Sequence, residues 1–273
     1  MDLPLELEDR VAKELEEAKP PVLPEVARAV LEATKSERTE PRSVADILKR
    51  DAAMAAGILR TANSPAYAAR AAIVSVPQAI SRLGFETIRR ISMLVACDER
   101  VFLVRGREDE TRRLYWHSTL TAFVAQEIAR TLKQNVEEAF MGGLLHDIGK
   151  SVVMQAMASL EKRGRPFSEE EMRAVAMSLH EELGARSLAT WGLPVRSVAA
   201  VAHHHRPLAA PPLGRDVACI VSVANDVAHG FETGEPLDID ALSPRLATIN
   251  LYLEDLSAIV DRKDELISWT KGL

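Results

Sequence analysis

Apolar residues recur at intervals of three and four positions along most of the chain, which is the spacing of one face of an α-helix. The clearest stripes are Val26, Val30 and Leu31, then Val44, Ile47 and Leu48, and later Ile88, Ile91 and Leu94. Breaks fall at Asn63-Ser64-Pro65, at Ser75-Val76-Pro77 and at Gly84. The residue before a proline is disfavoured in a helix, whereas proline itself is tolerated in the first helical turn. The pattern therefore predicts an all-α protein, with Ser75 as a helix cap.

The composition supports helices and excludes several classes of protein. Of the 273 residues, 47% are hydrophobic, 27% are charged and only 4% are aromatic, which favours helices over strands and leaves too little apolar surplus for a bilayer. The net charge is -6, whereas a protein that binds a phosphate backbone usually has a basic surplus. We therefore expect neither a membrane nor a nucleic acid as a partner. The two cysteines lie outside any Cys-x-x-Cys pair and residues 1–20 contain no export signal, which predicts a cytoplasmic protein.

The length allows one large core or two smaller ones, and the charged stretch from Gly106 to Thr111 is the most solvated boundary between helical patterns. We predict an N-terminal helical bundle over residues 1–110, a second helical domain over residues 111–235 and a C-terminal helical tail over residues 236–273. All seven histidines follow the boundary: His117, His146, His180, His203, His204, His205 and His229. Any chemistry is therefore expected after residue 110.

A polar motif interrupts the apolar run that ends at Lys150. His146 and Asp147 are adjacent there, and Lys150 follows Asp147 by three residues. Imidazole and carboxylate together suit divalent ions such as Zn, Fe or Mn. Residues three apart share a helix face, which leaves the lysine free to meet an anionic substrate. Taken alone, however, a His-Asp dipeptide is more often a hydrogen-bonded pair than a pair of metal ligands.

Ligand-type residues also occur in other helical segments. They are His117, His180, His204, His205 and Asp226. Asp226 lies in a largely apolar stretch, where a carboxylate needs a compensating partner. Each residue by itself is explained by an ordinary satisfied side chain, but the set as a whole favours a shared site.

The order of these residues resembles a known superfamily. His117, then His146-Asp147, then Asp226 is similar to the HD superfamily of metal-dependent phosphohydrolases, and His180 with His204-His205 resembles the added histidines of its HD-GYP branch. The first half resembles more specifically the HDOD module, the HD-related output domain of bacterial signalling proteins. The segments that carry this likeness are 23–26, 44–56, 59–64 and 80–89, joined later by 191–194 and 204–207. The resemblance covers roughly residues 20 to 230.

The resemblance implies a fold, a ligand set and a cofactor. The fold would be an N-terminal helical bundle packed against an HD-like helical domain. One divalent metal would be held by His117, His146, Asp147 and Asp226. A second would be held by His180, His204 and His205, with Asp147 shared between the two. Fe, Mn, Zn and Ni all fit such ligands, and in an active enzyme Asp147 and Lys150 would be the catalytic residues, with Lys150 facing a phosphate.

The resemblance also implies a function. HDOD modules are generally regarded as regulatory, so the leading hypothesis is a signal-transduction module that binds divalent metal and acts through contacts with signalling proteins. The alternative is an active phosphohydrolase, with one or two metal ions, acting on a nucleotide or another small phosphorylated ligand. The Gly-Tyr-Pro motif expected after the double histidine is missing, so hydrolysis of cyclic di-GMP is not expected. Arg50, Arg60, Asn63 and Tyr67 are expected at a partner surface or at the seam between the two units.

Overall fold

The computed structural model describes residues 11, 13, 22–36, 38–67, 71–164 and 166–271. Within these residues the protein consists of thirteen α-helices with short 3₁₀ and π turns and no strand, which confirms the predicted all-α class. None of the described helices combines the length and the apolar character needed to cross a bilayer. The expectation that residues 1–20 contain no export signal concerns a segment of which the structure describes only residues 11 and 13.

The helices fall into three groups along the chain. The first group is α1 (Glu25–Ala33), α2 (Pro41–Leu48), α3 (Ala52–Ala62) and α4 (Val76–Ala96). The second group is α5 (Glu108–Thr131), α6 (Val136–Leu145), α7 (Ile148–Lys162), α8 (Glu169–Thr190), α9 (Val195–His203) and α10 (Arg215–Thr233). The third group is α11 (Ile239–Ile249), α12 (Leu253–Val260) and α13 (Lys263–Thr270).

The helix boundaries follow local sequence signals. Ser75 accepts a hydrogen bond from the Gln78 amide at 3.3 Å, which confirms it as the cap of α4. Gly84 interrupts α4 with a φ of 75°, a left-handed conformation that costs little without a Cβ. Helix α8 begins with a reciprocal capping box between Ser168 and Glu171.

One hydrophobic core joins all three groups. It includes buried side chains from Leu23 in the first group to Trp269 in the third, with Phe102, Phe123 and Phe140 among its largest members. Helix α5 lies at its centre, because it packs against α6, α10, α12 and α13. The domain limits at residues 110 and 235 remain predictions, since the core is continuous across both.

Polar contacts of Arg89 and Asn63 fix the N-terminal bundle and its seam with α6. The Arg89 guanidinium forms an ion pair with the Glu137 carboxylate at the start of α6 and donates to the Thr34 carbonyl at 2.8 Å. The Asn63 side chain binds both backbone groups of Ile73, closing the loop between α3 and α4.

Tyr67 lies at the seam itself. Its ring contacts that of Phe123 on α5, with a centroid separation of 6.5 Å. Burial raises the pKa of Tyr67 to about 12. Of the residues expected at a partner surface or a seam, Asn63 and Tyr67 therefore have internal contacts, whereas Arg50 and Arg60 are exposed.

Candidate metal centre

The junction between α6 and α7 places the His-Asp motif inside the protein. Helix α6 ends at Leu145, His146 is its cap, and Asp147 precedes the first residue of α7. Both side chains are almost fully buried. A short helix-to-helix junction thus holds two polar side chains where four helices meet.

Two glycines allow those helices to approach closely enough for the ligands to converge. A Cβ on Gly143 would lie 2.8 Å from the Cα of Ala122, so this glycine lets α6 lie against α5, which carries His117. A Cβ on Gly149 would lie 2.0 Å from the backbone carbonyl oxygen of His180, so this glycine lets α7 lie against α8. Both contacts are with backbone atoms, which cannot rotate away.

Three histidines bring their Nε2 atoms together. His180 Nε2 lies 3.2 Å from His204 Nε2 and 3.1 Å from His205 Nε2. The Nδ1 atom of His180 faces the Ala176 carbonyl and that of His204 faces the Val201 carbonyl, each at 2.9 Å. A carbonyl oxygen only accepts, so both Nδ1 atoms donate. In their neutral forms, the Nε2 atoms of His180 and His204 therefore face each other as lone pairs.

Asp147 connects this trio to His146 and Lys150. Its Oδ1 atom lies 3.6 Å from His180 Nε2 and 3.7 Å from His204 Nε2. Its Oδ2 atom accepts a hydrogen bond from Lys150 Nζ at 2.6 Å and lies 3.4 Å from His146 Nε2. Within the described residues, Asp147 Oδ1 and His146 Nε2 have no hydrogen-bond partner. Buried polar atoms without partners are costly, and these two are ligand atoms.

The environment favours the protonation states that metal binding requires. Burial lowers the pKa of His146 to about 4 and that of His180 to about 3, although the Asp147 carboxylate opposes both shifts. Burial disfavours ionisation of Asp147 too, yet His146 and Lys150 hold the pKa of this carboxyl well below its usual range. At neutral pH these groups are neutral imidazoles and a carboxylate, which are the forms that bind metal.

His117 approaches the group from α5 and makes two further contacts. Its Nε2 atom lies 2.9 Å from Asn225 Oδ1, and its Nδ1 atom lies 2.7 Å from Glu232 Oε1. Burial raises the pKa of Glu232, but the hydrogen bonds from His117 and His229 outweigh this and bring it to about 2. The sequence reasoning missed Asn225, His229 and Glu232.

Asp226 does not take the position that the resemblance implies. Its carboxylate pairs with Arg245 at 2.7 Å and its side chain is 38% exposed, so it stands outside the groups of converging ligand atoms. Asn225, only 7% exposed, replaces it against His117. Neighbouring residues on a helix point about 100° apart, so only one of the two can face the site.

The remaining expected residues converge. Ligand atoms of His117, His146 and Asp147 lie within 4.8 Å of one another, and so do those of His180, His204 and His205. We refer to these six residues as the His–Asp centre. Lys150 lies at its edge and lines a cavity of about 440 Å³, whose other charged lining residues are Arg107, Arg113, Arg173, Glu110 and Glu169.

Comparison with known proteins gives a family and a fold. The family model for the HDOD domain matches residues 21–207, which is more than half of the chain. The fold and the matched segment define an HDOD protein: the chain belongs to the HDOD domain family, as the sequence resemblance indicated. A comparison with curated proteins gives no match.

Several solved structures share the fold. A protein from Shewanella amazonensis SB2B with the provisional name metal-dependent phosphohydrolase is 22% identical, with a TM-score of 0.74 and coverage of 97% of this chain and 98% of that one. An HDOD domain protein of unknown function from Geobacter sulfurreducens is 20% identical, with a TM-score of 0.68 and coverage of 95% and 99%. A protein from Marinobacter aquaeolei VT8, provisionally named a signal transduction protein, is 20% identical, with a TM-score of 0.66 and coverage of 97% and 65%. At these identities the likeness concerns the fold.

Proposed function

We propose that this chain is a cytoplasmic signalling module that holds one or two divalent metal ions at the His–Asp centre and acts through contacts with signalling proteins. The observation that carries the metal proposal is the approach of His180 Nε2 to His204 Nε2 at 3.2 Å, with both Nδ1 atoms committed to carbonyls. Two lone pairs at that distance repel each other. A cation between them converts the repulsion into coordination.

The spacing of the nitrogens matches a metal site. A tetrahedral ion with imidazole ligands at about 2.0–2.1 Å separates the ligand nitrogens by about 3.3 Å. The two contacts of His180 Nε2 are 3.1 and 3.2 Å, and the unpartnered Asp147 Oδ1 supplies a fourth ligand. A second ion requires His117, His146 and the other oxygen of Asp147. Three imidazoles and a carboxylate suit Zn, Fe, Mn or Ni.

Two substitutions test the metal proposal. The Asp147→Asn variant keeps the shape of the side chain but lacks the charge, and we expect it to lose most of the metal that elemental analysis finds in the purified wild-type protein. Glu161→Gln on α7 is the matched control, because that carboxylate pairs with Arg107 away from the centre. Wild-type metal content in Asp147→Asn, with the fold retained by circular dichroism, would contradict the proposal.

The role as an interaction module is supported by family membership and by the exposed Arg60 on α3. We expect the charge reversal Arg60→Glu to impair the cellular output more than Asp147→Asn does, since a partner surface depends on exposed charge. Both variants should remain folded. If Asp147→Asn alone silences the output, the contact-based role is wrong.

The cavity beside Lys150 favours a second candidate function, a metal-dependent phosphohydrolase acting on a small phosphorylated ligand. Arg113 and Arg173 are exposed on its lining, and Lys150 connects it to Asp147. Bound metal would supply an activated water, while Lys150 and the arginines would bind and orient the phosphate. Metal-dependent turnover in a screen of phosphomonoesters and cyclic nucleotides, lost in Lys150→Met, would establish this activity. We expect no turnover of cyclic di-GMP.

A further inference from the structure

A second group of ligand-type side chains lies on the side of His117 that faces away from Asn225. His229 and Glu232 are three residues apart on α10, so they share one helix face. Glu232 Oε1 lies 2.7 Å from His117 Nδ1, and Glu232 Oε2 lies 3.4 Å from His229 Nδ1. The ligand atoms of all three residues lie within 4.8 Å of one another. We refer to His117, His229 and Glu232 as the outer cluster.

The surroundings of the outer cluster favour a cation. The cavity beside His229 has a volume of about 270 Å³ and is lined by the carboxylates of Glu235 and Asp238 and by Asp226, which pairs with Arg245. Among its described lining residues there is no lysine or arginine. The His229 side chain is 54% exposed, so an ion can reach the cluster from solvent.

We propose that the outer cluster is a further divalent cation site, which shares His117 with the His–Asp centre and takes a borderline transition-metal ion such as Zn²⁺. His117 Nδ1, one ring nitrogen of His229 and a carboxylate oxygen of Glu232 are its three ligands. Two imidazoles and one carboxylate are a common zinc ligand set and leave a position for water.

The outer cluster competes with the His–Asp centre for His117. A neutral imidazole has only one ring nitrogen with a lone pair. When Nδ1 binds an outer ion, the proton is on Nε2, where Asn225 Oδ1 at 2.9 Å accepts it. When Nε2 binds an ion at the His–Asp centre, the proton is on Nδ1 and Glu232 accepts it. Ions on the two sides of His117 therefore exclude each other.

The competition determines how the site is tested. Asp147→Asn weakens the His–Asp centre without changing any outer ligand, so the outer site is measured in that background. We compare Asp147→Asn with Asp147→Asn/His229→Ala, using equilibrium dialysis against Zn²⁺ and elemental analysis of the ions bound per chain. The matched control is Asp147→Asn/Glu235→Gln, which removes an exposed carboxylate of the same cavity. Thermal melts by circular dichroism establish that each variant is folded.

We expect His229→Ala to remove one Zn²⁺ per chain and Glu235→Gln to remove none. If Glu232 only orients His117, then His229→Ala does not change the number of ions bound. Equal ion counts per chain in Asp147→Asn and Asp147→Asn/His229→Ala therefore overturn the proposal. A further variant, Asp147→Asn/Glu232→Gln, tests the carboxylate ligand. If it binds as many Zn²⁺ ions per chain as Asp147→Asn does, the proposal is overturned as well. The metal proposal for the His–Asp centre fails separately, through wild-type ion content in Asp147→Asn alone.

Discussion

We expect Gly149→Ala to disrupt the geometry of the His–Asp centre, although it replaces none of the ligands. The added Cβ would lie 2.0 Å from the carbonyl oxygen of His180 and 2.7 Å from its carbonyl carbon and Cα. An ordinary van der Waals contact requires at least 3.4 Å, so α7 and α8 must separate locally by about 1.4 Å, since packed backbone cannot yield by rotation. Metal sites tolerate changes of only about 0.2 Å in ligand distance.

Both stability and metal content should therefore fall. Overpacking against backbone costs about 3 kcal/mol, which lowers the Tm of a domain of this size by roughly 6–12 °C. Differential scanning calorimetry measures the first effect, and elemental analysis of the purified protein measures the second.

Gly142→Ala is the matched control for this substitution. Its Cβ would meet a methyl group of the Val221 side chain at 2.9 Å, and a side chain adjusts at lower cost than backbone does. We expect a smaller loss of stability and retained metal. A Gly149→Ala protein with the wild-type Tm and metal content would refute the claim that close approach of α7 and α8 builds the centre.

Three further predictions concern other parts of the molecule. Asp226→Asn should retain bound metal in elemental analysis, because Asp226 pairs with Arg245; loss of metal would restore Asp226 as a ligand. Arg89→Ala should lower the free energy of unfolding in urea by about 1–3 kcal/mol, because it leaves the partly buried Glu137 unpaired, while Lys35→Ala at an exposed ion pair should have no measurable effect. In metal-free protein, the free energy of unfolding should fall as the pH drops from about 6.5 towards 4. The unfolded chain takes up protons there that His146 and His180, with lowered pKa values, do not; equal urea stability at pH 7 and pH 5 would contradict this.

Local sequence signals account for the fold and for most of the centre. Helical periodicity, Ser75 and Gly84 act over a few residues, so they were visible in the sequence, and the structure bears out the helix class, the cap and the break. The adjacent pair of His146 and Asp147 was visible for the same reason. In the structure, Asp147 Oδ1 lies 3.6 Å from His180 Nε2 and 3.7 Å from His204 Nε2.

The misplaced and missed residues depend on tertiary structure. Whether Asn225 or Asp226 faces His117 depends on the rotation of α10 about its axis relative to α5. The order of ligand-type residues along the sequence does not specify that rotation. Glu232 and His117 are 115 residues apart in the sequence, so no local pattern predicts that their side chains are in contact.

Anomalous X-ray diffraction from crystals of the purified protein, recorded at the absorption edge of the metal found by elemental analysis, tests the central claim most directly. The account predicts an anomalous peak within about 2.0–2.3 Å of the Nε2 atoms of His180, His204 and His205, with Asp147 Oδ1 as a further ligand. Metal-loaded crystals without a peak among these three nitrogens would contradict it.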